Sequence, residues 1–232
     1  NIESVMGITK EHYYSGISFH KFVHGPVFTK YRSVLREIYD RHLQAGYHFE
    51  NKYAATEDLR PQAYTYDKSI LGALVESDIH QKMIDIFGYE LFPSHVQIRI
   101  SYNQNEFSYM PWHRDSYMYE DGKQIGPCPP YKKVIYFPKF DNINNECMLF
   151  APGTHLNVKN NQSEDIGQLE DCTILQLKNS VDEFVIFNTE SLHHAIPPQS
   201  GKQMRVIYSF CPKGQLNEKH KPDLYEEYIS SI

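Results

Sequence analysis

Two short segments and one arginine could do chemistry in this sequence: Trp112-His113-Arg114-Asp115, Leu192-His193-His194-Ala195, and Arg205. In an extended segment residues i and i+2 point the same way, so His113 and Asp115 can grip one ion while Arg114 faces away. A histidine from the second segment would complete a set of two imidazoles and one carboxylate. Such a set holds Fe(II) on one face of an octahedron and leaves the other positions open for a co-substrate and O2. Arg205 offers the planar fork that pairs with a free carboxylate. A His-x-Asp pair alone means little, because 12 histidines and 29 acidic residues make such pairs common by chance. The weight lies in the order: His-x-Asp, a later strand histidine, then an arginine eleven or twelve residues beyond it.

The elements that must position these residues follow from hydrophobic periodicity. From Pro93 onward the pattern alternates with period two, over 95–102, 133–137, 147–151, 172–177, 183–187 and 204–210. Short strands separated by Asn, Gly, Pro and Asp turns predict an antiparallel sandwich or barrel. The first 90 residues read as mainly helical. Val27 to Gln44 carries Val27, Tyr31, Val34, Leu35, Ile38, Tyr39 and His42 as one apolar stripe, with Gly46 as its stop. Ser77 to Phe87 reads as a second helix, with Ser77 as N-cap and Gly88 after its end. The expected class is mainly β with flanking α, a double-stranded β-helix (jelly roll, cupin-like) with N-terminal helices packed on one sheet. One domain is expected over 1–232: helical support and entry segments over 1–92, a jelly-roll core over 93–212, and a tail over 213–232. Leu224, Tyr225, Tyr228 and Ile229 make that tail a short docking helix.

Composition bounds the partners. With 41% hydrophobic and 22% charged residues the chain fits an ordinary globular domain, a monomer or dimer acting on a small molecule. A net charge of -6 and a pI of 6.1 argue against nucleic acid, which calls for a basic face. No apolar run approaches the roughly 20 residues of a membrane span. Asn1-Ile2-Glu3-Ser4 does not read as a signal peptide, and the missing Met leaves the native N-terminus open. Cys128, Cys147, Cys172 and Cys211 form no Cys-x-x-Cys pair, so free thiols in a reducing cytoplasm are expected. Eighteen Tyr and 13 Phe suit a cleft with aromatic walls, although aromatics more often fill cores.

These motifs together resemble the phytanoyl-CoA dioxygenase-like Fe(II)/2-oxoglutarate-dependent oxygenases, the group that includes ectoine hydroxylase. Gln97-Ile-Arg99-Ile-Ser101-Tyr102 is similar to that family's strand before the metal motif. Trp112-His113-Arg114-Asp115 matches the iron motif, Pro152-Gly153-Thr154-His155 stands where the family has Pro-Gly-Ser-His, and 184–195 with Arg205 matches the closing strands. The family's Gly-rich turn before Pro-Gly-Ser-His is replaced by Asn144-Asn145-Glu146, which leaves that turn's shape open.

The resemblance implies Fe(II) as metal, with 2-oxoglutarate and O2 as co-substrates. His113, Asp115 and one of the paired histidines would be the ligands. Counting back eleven residues from Arg205 gives His194, whereas counting from Phe187 and Ala195 gives His193. Neighbours on a strand face opposite sides, so only one points inward. We favour His193, because the loop 197–203 absorbs an extra residue more easily than a strand does. Arg205 would anchor the distal carboxylate of 2-oxoglutarate, with Gln97 and Ser101 as further hydrogen-bond donors and Arg99 facing substrate. Val96, Ile98 and Ile100 then pack on the helices. His155 reads as a turn residue held by backbone. Family halogenases carry Gly or Ala in place of the carboxylate, so Asp115 favours hydroxylation, desaturation or ring closure. Arg99, a cation beside the iron with no acid in its own strand, calls for an anionic partner. With a mixed polar and aromatic lid over 116–130 (Tyr117, Tyr119, Glu120, Asp121 and Lys123) and no long basic patch for a CoA diphosphate, a small carboxylate-bearing metabolite is expected. The alternatives are an acyl-CoA or lipid hydroxylase and a catalytically silent metal-binding jelly roll.

Overall fold

The computed structural model describes residues 2–4, 12–41, 56–58, 67–102, 112–115, 118–120, 123–125, 132–159, 161–212, 228 and 230. Its thirteen described strands are β1 (Ile2–Ser4), β2 (His12–Tyr14), β3 (Ile17–Lys21), β4 (Thr56–Asp58), β5 (Phe92–Tyr102), β6 (Met118–Glu120), β7 (Lys123–Ile125), β8 (Lys132–Tyr136), β9 (Glu146–Phe150), β10 (Ile174–Lys178), β11 (Glu183–Asn188), β12 (His193–Ala195) and β13 (Lys202–Cys211). Seven form one sheet in the order β2-β3-β11-β8-β13-β5-β4, four form a second in the order β1-β10-β9-β12, and β6-β7 is a separate hairpin. Every pairing is antiparallel except β1 with β10.

Alternation assigns the two faces of the large sheet. Ile17, Phe19, Ile135, Val185, Phe187 and Ile207 point one way and pack with Cys147, Met148, Phe150, Leu175 and Leu177 of the small sheet. That layer is the core between the sheets. Val96, Ile98, Ile100, Val134, Tyr136, Met204, Val206 and Tyr208 point the other way, as expected, and meet helices α1 (Pro26–Arg41), α2 (Ser69–Glu76) and α3 (Ile79–Phe87).

The aromatic wealth is spent mainly on this second layer. Phe22 packs within 5.1 Å, ring centre to centre, of Phe28, Tyr136 and Phe184. The Tyr208 hydroxyl donates to the Ile70 carbonyl at 2.6 Å and lies 2.8 Å from the Tyr31 hydroxyl, so these large rings are buried without stranding their polar ends. These aromatics fasten helices to the sheet and do not wall the inter-sheet space.

Several elements differ from the sequence pattern. Among the described residues up to 90 helix predominates, as expected, but four short strands stand beside it: β1, β2 and β3 extend the two sheets, and β4 pairs with β5. Helix α2 was hidden because its eight residues are apolar on nearly every side, five of them buried, which leaves no period to read. The helix expected from Ser77 starts at Ile79. Asp78 stands before it in the left-handed region (φ 55°), and Ser77 Oγ instead accepts from the Val23 amide at 3.0 Å. Gly88 does close α3, at φ 81° with its amide on the Ile84 carbonyl. The described part of α1 ends at Arg41, with 42–44 outside the described residues. Most of the lid and tail also lie outside them. Of the tail, Tyr228 is buried against Phe210. Among described residues Cys147, Cys172 and Cys211 are free thiols, and no helix is long and apolar enough to cross a membrane.

Candidate metal centre

The two ligand-bearing segments, 80 residues apart in sequence, are joined by their backbones. The His113 amide donates to the His193 carbonyl at 3.1 Å, and the His193 amide returns the bond to His113 at 3.0 Å. The Asp115 amide donates to the Thr189 carbonyl at 3.0 Å. The segment 113–115 is therefore held against the start of β12 and the turn before it, and period two aims its odd-numbered side chains at the partner.

The side chains converge accordingly. His113 Nε2 lies 3.2 Å and His193 Nε2 3.4 Å from the same oxygen, Asp115 Oδ1. One ligand atom from each of the three residues lies within 4.8 Å of the others. His194 turns away and stacks on Trp112, ring centres 5.9 Å apart at 24°. Of the paired histidines, His193 is the one in the cluster.

Electrostatics sharpen this arrangement. Burial lowers the pKa of His193, so its ring is neutral at neutral pH. Its Nδ1 sits 2.7 Å from the Ser191 carbonyl, which can only accept, so the ring hydrogen is on Nδ1 and Nε2 presents a lone pair. Asp115 is a carboxylate: burial pushes it up, but Lys133 together with His193 and His113 outweighs this and holds it well below the usual range. Lys133 Nζ donates to Asp115 Oδ2 at 2.7 Å, leaving Oδ1 to the imidazoles. A bare imidazole nitrogen thus faces a carboxylate oxygen across 3.4 Å with no proton between them. Electron-pair donors so arranged repel, and a cation between them turns the repulsion into coordination.

The remaining predicted residues share the inner face of the large sheet. Gln97 and Ser101 are buried there, opposite Ile207 and Gln203 in the register of β5 and β13. Arg205 lies directly opposite Arg99, both half-buried. Arg205 alternates with Met204 and Val206 of the helical layer and acts electrostatically on the Cys147 thiol of the facing sheet, which puts its charge between the sheets. The edge strand β4 brings Asp58 into backbone register with Arg99, an acid that reading β5 alone does not reveal. His155 stays outside the cluster, in a 3-10 turn at Thr154–Leu156. Its buried Nδ1 has no partner, so the expected backbone contact is not made. Its ring lies over Gly16, where a Cβ would come within 2.7 Å of it; with φ at +82°, that position needs glycine.

Sequence reasoning missed three participants. Lys133 carried a readable signal, a cation in an apolar strand, the same signal that singles out Arg205. The Ser191 carbonyl and Asp165 carried none. Asp165 takes the Arg114 guanidinium in a two-pronged pair at 2.7 and 2.5 Å, both side chains fully buried.

No known family model and no curated protein matches the sequence; the likeness to known proteins lies in the fold. The structure is similar to the non-heme alpha ketoglutarate dependent epimerase SnoN from nogalamycin biosynthesis, with a TM-score of 0.60 at 10% identity over 85% of this chain and 79% of that one. HygX from Streptomyces hygroscopicus, solved with nickel, 2-oxoglutarate and hygromycin B, gives 0.58 at 12% over 86% and 84%. The chain shares its fold with these two proteins. It also resembles EvdMO1 with a TM-score of 0.59 at 14% identity, covering 86% of this chain but only 48% of EvdMO1, so it spans about half that protein's length.

Proposed function

We propose that this protein is a non-haem Fe(II)/2-oxoglutarate-dependent dioxygenase built on a double-stranded β-helix, of the phytanoyl-CoA dioxygenase-like kind. The observation that carries the reading is the convergence of His113, His193 and Asp115, one ligand atom from each within 4.8 Å of the others, with His193 Nε2 and Asp115 Oδ1 presenting lone pairs. Two nitrogens and one carboxylate oxygen are the donor set suited to Fe(II) with open positions. The Ser191 carbonyl fixes the tautomer of His193, as second-shell partners of ligating histidines do. Iron, when bound, supplies the oxidative chemistry; the chain supplies ligands, orientation and shielding.

In this reading Arg205 pairs with the distal carboxylate of 2-oxoglutarate, and Gln97 and Ser101 donate hydrogen bonds from the buried face beside it. SnoN and HygX, one described as α-ketoglutarate-dependent and the other holding nickel with 2-oxoglutarate, support this co-substrate on a shared fold. Arg99, in register with Arg205, faces a substrate that is a small, carboxylate-bearing metabolite, oxidised by hydroxylation, desaturation or ring closure. The free thiols suit a reducing cytoplasm.

The test is succinate release from 2-oxoglutarate by the Fe(II)-loaded protein, with a panel of small carboxylic acids and acyl-CoAs. Metal-dependent succinate formation, raised by a carboxylic acid, is expected. A protein that binds metal but never converts 2-oxoglutarate would overturn the enzymatic reading, and stimulation by acyl-CoA alone would overturn the substrate class.

A further inference from the structure

Arg114 stands between two of the three converging residues, yet its side chain points the other way into full burial. Its Nε and Nη2 donate to the two oxygens of Asp165, and its Nη1 donates to the Thr154 carbonyl at 2.7 Å and to the Glu190 carbonyl. Asp165 belongs to a short helix, α4 (Gln162–Gly167), and is itself held by the Lys159 amide at 3.2 Å and the Gln168 amide group at 2.9 Å. One guanidinium therefore joins the His-x-Asp segment, the turn at 154 and the turn at 190.

The identity of the last contact matters. Glu190 is adjacent to Ser191, whose carbonyl fixes the His193 ring, and next to Thr189, whose carbonyl takes the Asp115 amide. Arg114 thus touches both arms of the cluster from behind: His113 and Asp115 through the chain it sits in, His193 through the turn that orients it. A buried guanidinium needs a carboxylate, and the planar fork spans partners that a lysine ammonium cannot reach together.

We propose that Arg114 and Asp165 form a positioning pair that sets the separation of the two ligand-bearing arms, so that metal affinity depends on an ion pair that never touches the metal. This rests on the metal reading above, and it goes beyond fold stability, because a pair that only stabilised the fold would leave the affinity of the folded protein unchanged.

The experiment measures Co(II) affinity by titration of the visible absorption band, for wild type, Arg114→Lys and Asp165→Asn, at a temperature where circular dichroism shows each apo protein fully folded. Arg114→Lys retains a cation beside Asp165 but cannot reach both carbonyls, and a tenfold or greater loss of Co(II) affinity is expected. Asp165→Asn leaves the guanidinium without its counter-charge and should lose at least as much; should it fail to fold, Arg114→Lys alone decides. An Arg114→Lys affinity within twofold of wild type overturns the proposal, with the pair then purely structural. A wild type that binds no Co(II) overturns the metal reading itself, and with it this one.

Discussion

Two polar clusters close opposite ends of strand β9, and they are built on opposite principles. Beyond its start, Asn145, Asn179 and Gln203 form a neutral, buried amide network. The Asn145 and Asn179 side-chain amides donate to Gln203 Oε1 at 3.1 and 2.9 Å, and Gln203 Nε2 donates to the Pro138 carbonyl at 3.0 Å. At its far end Phe150 pairs with His193, and there the His193 Nε2 and an Asp115 carboxylate oxygen aim lone pairs at one another. Donors meet acceptors at the first cluster, which is complete in itself. At the second, Lys133 and Ser191 hold the outer atoms, while acceptor meets acceptor between His193 Nε2 and Asp115 Oδ1, a gap that a cation completes. Satisfied networks fix a fold, whereas a converging set left incomplete marks a site.

The comparison breaks most visibly if His193 is not needed for metal. His193→Ala should weaken Co(II) or Fe(II) binding by more than about 100-fold, beyond the range seen for outer-shell groups. Calorimetric titration of the apo protein checks this, and retained full-affinity binding would mean the cluster is only a packed pair of rings.

The amide end should respond in the opposite currency. Gln203→Leu strands the Asn145 donor and the Pro138 carbonyl. It also takes one of two acceptors from the Asn179 amide, which keeps the Ile143 carbonyl. The loss is about 3 kcal/mol at 1–3 kcal/mol per unsatisfied group. For a domain of this size that lowers Tm by roughly 6–12 °C. Metal affinity of the folded protein should stay within about twofold. A large affinity loss with unchanged Tm would reverse the roles assigned to the two ends.

The amide network also answers a question the sequence left open. Asn144-Asn145-Glu146 stands in place of a Gly-rich turn, and Asn145 gives that turn its shape through its own amide, bonded to Gln203 and to the Gln199 amide. Strands β5, β8, β11 and β13 were legible because one face meets helices and the other the small sheet, which enforces alternation of size and polarity. The hairpin β6-β7, by contrast, lay inside the segment read as a lid loop. The Arg205 position was legible as a polar residue in an apolar strand, and His113 and Asp115 by their i, i+2 spacing in an extended segment. Strand β3 was not, although Ile17-Ser18-Phe19-His20 alternates, because five residues are too short a window to set a strand apart from a loop. Nor were the long-range partners. Nothing local ties Lys133 to Asp115, or Asp165 to Arg114 across 51 residues, because such pairs exist only once the turns are folded.

Arg205 lies along β13 between the two ends, in register with Arg99 and near Cys147. Arg205→Lys keeps the charge and loses the fork. The Kd for 2-oxoglutarate, measured by fluorescence quenching with Mn(II) present, should rise tenfold or more, about 1.4 kcal/mol. An unchanged Kd would assign Arg205 to an internal partner and extend the structural end of the molecule further along β13.

The smallest expected effect is the most discriminating. His194 differs from His193 by one position, and a strand turns that single step into opposite faces. Its ring stacks on Trp112, beside the apolar patch of Ala151, Ile174 and Leu192. His194→Ala should cost about 1 kcal/mol of stability from the lost aromatic pair. Metal affinity should change by less than about threefold, because no ligand and no orienting contact of the cluster is removed. Parallel titrations of His193→Ala and His194→Ala therefore test the register of β12 itself. If His194→Ala loses the metal while His193→Ala retains it, β12 is shifted by one residue, and the spacing of eleven back from Arg205 was the better guide.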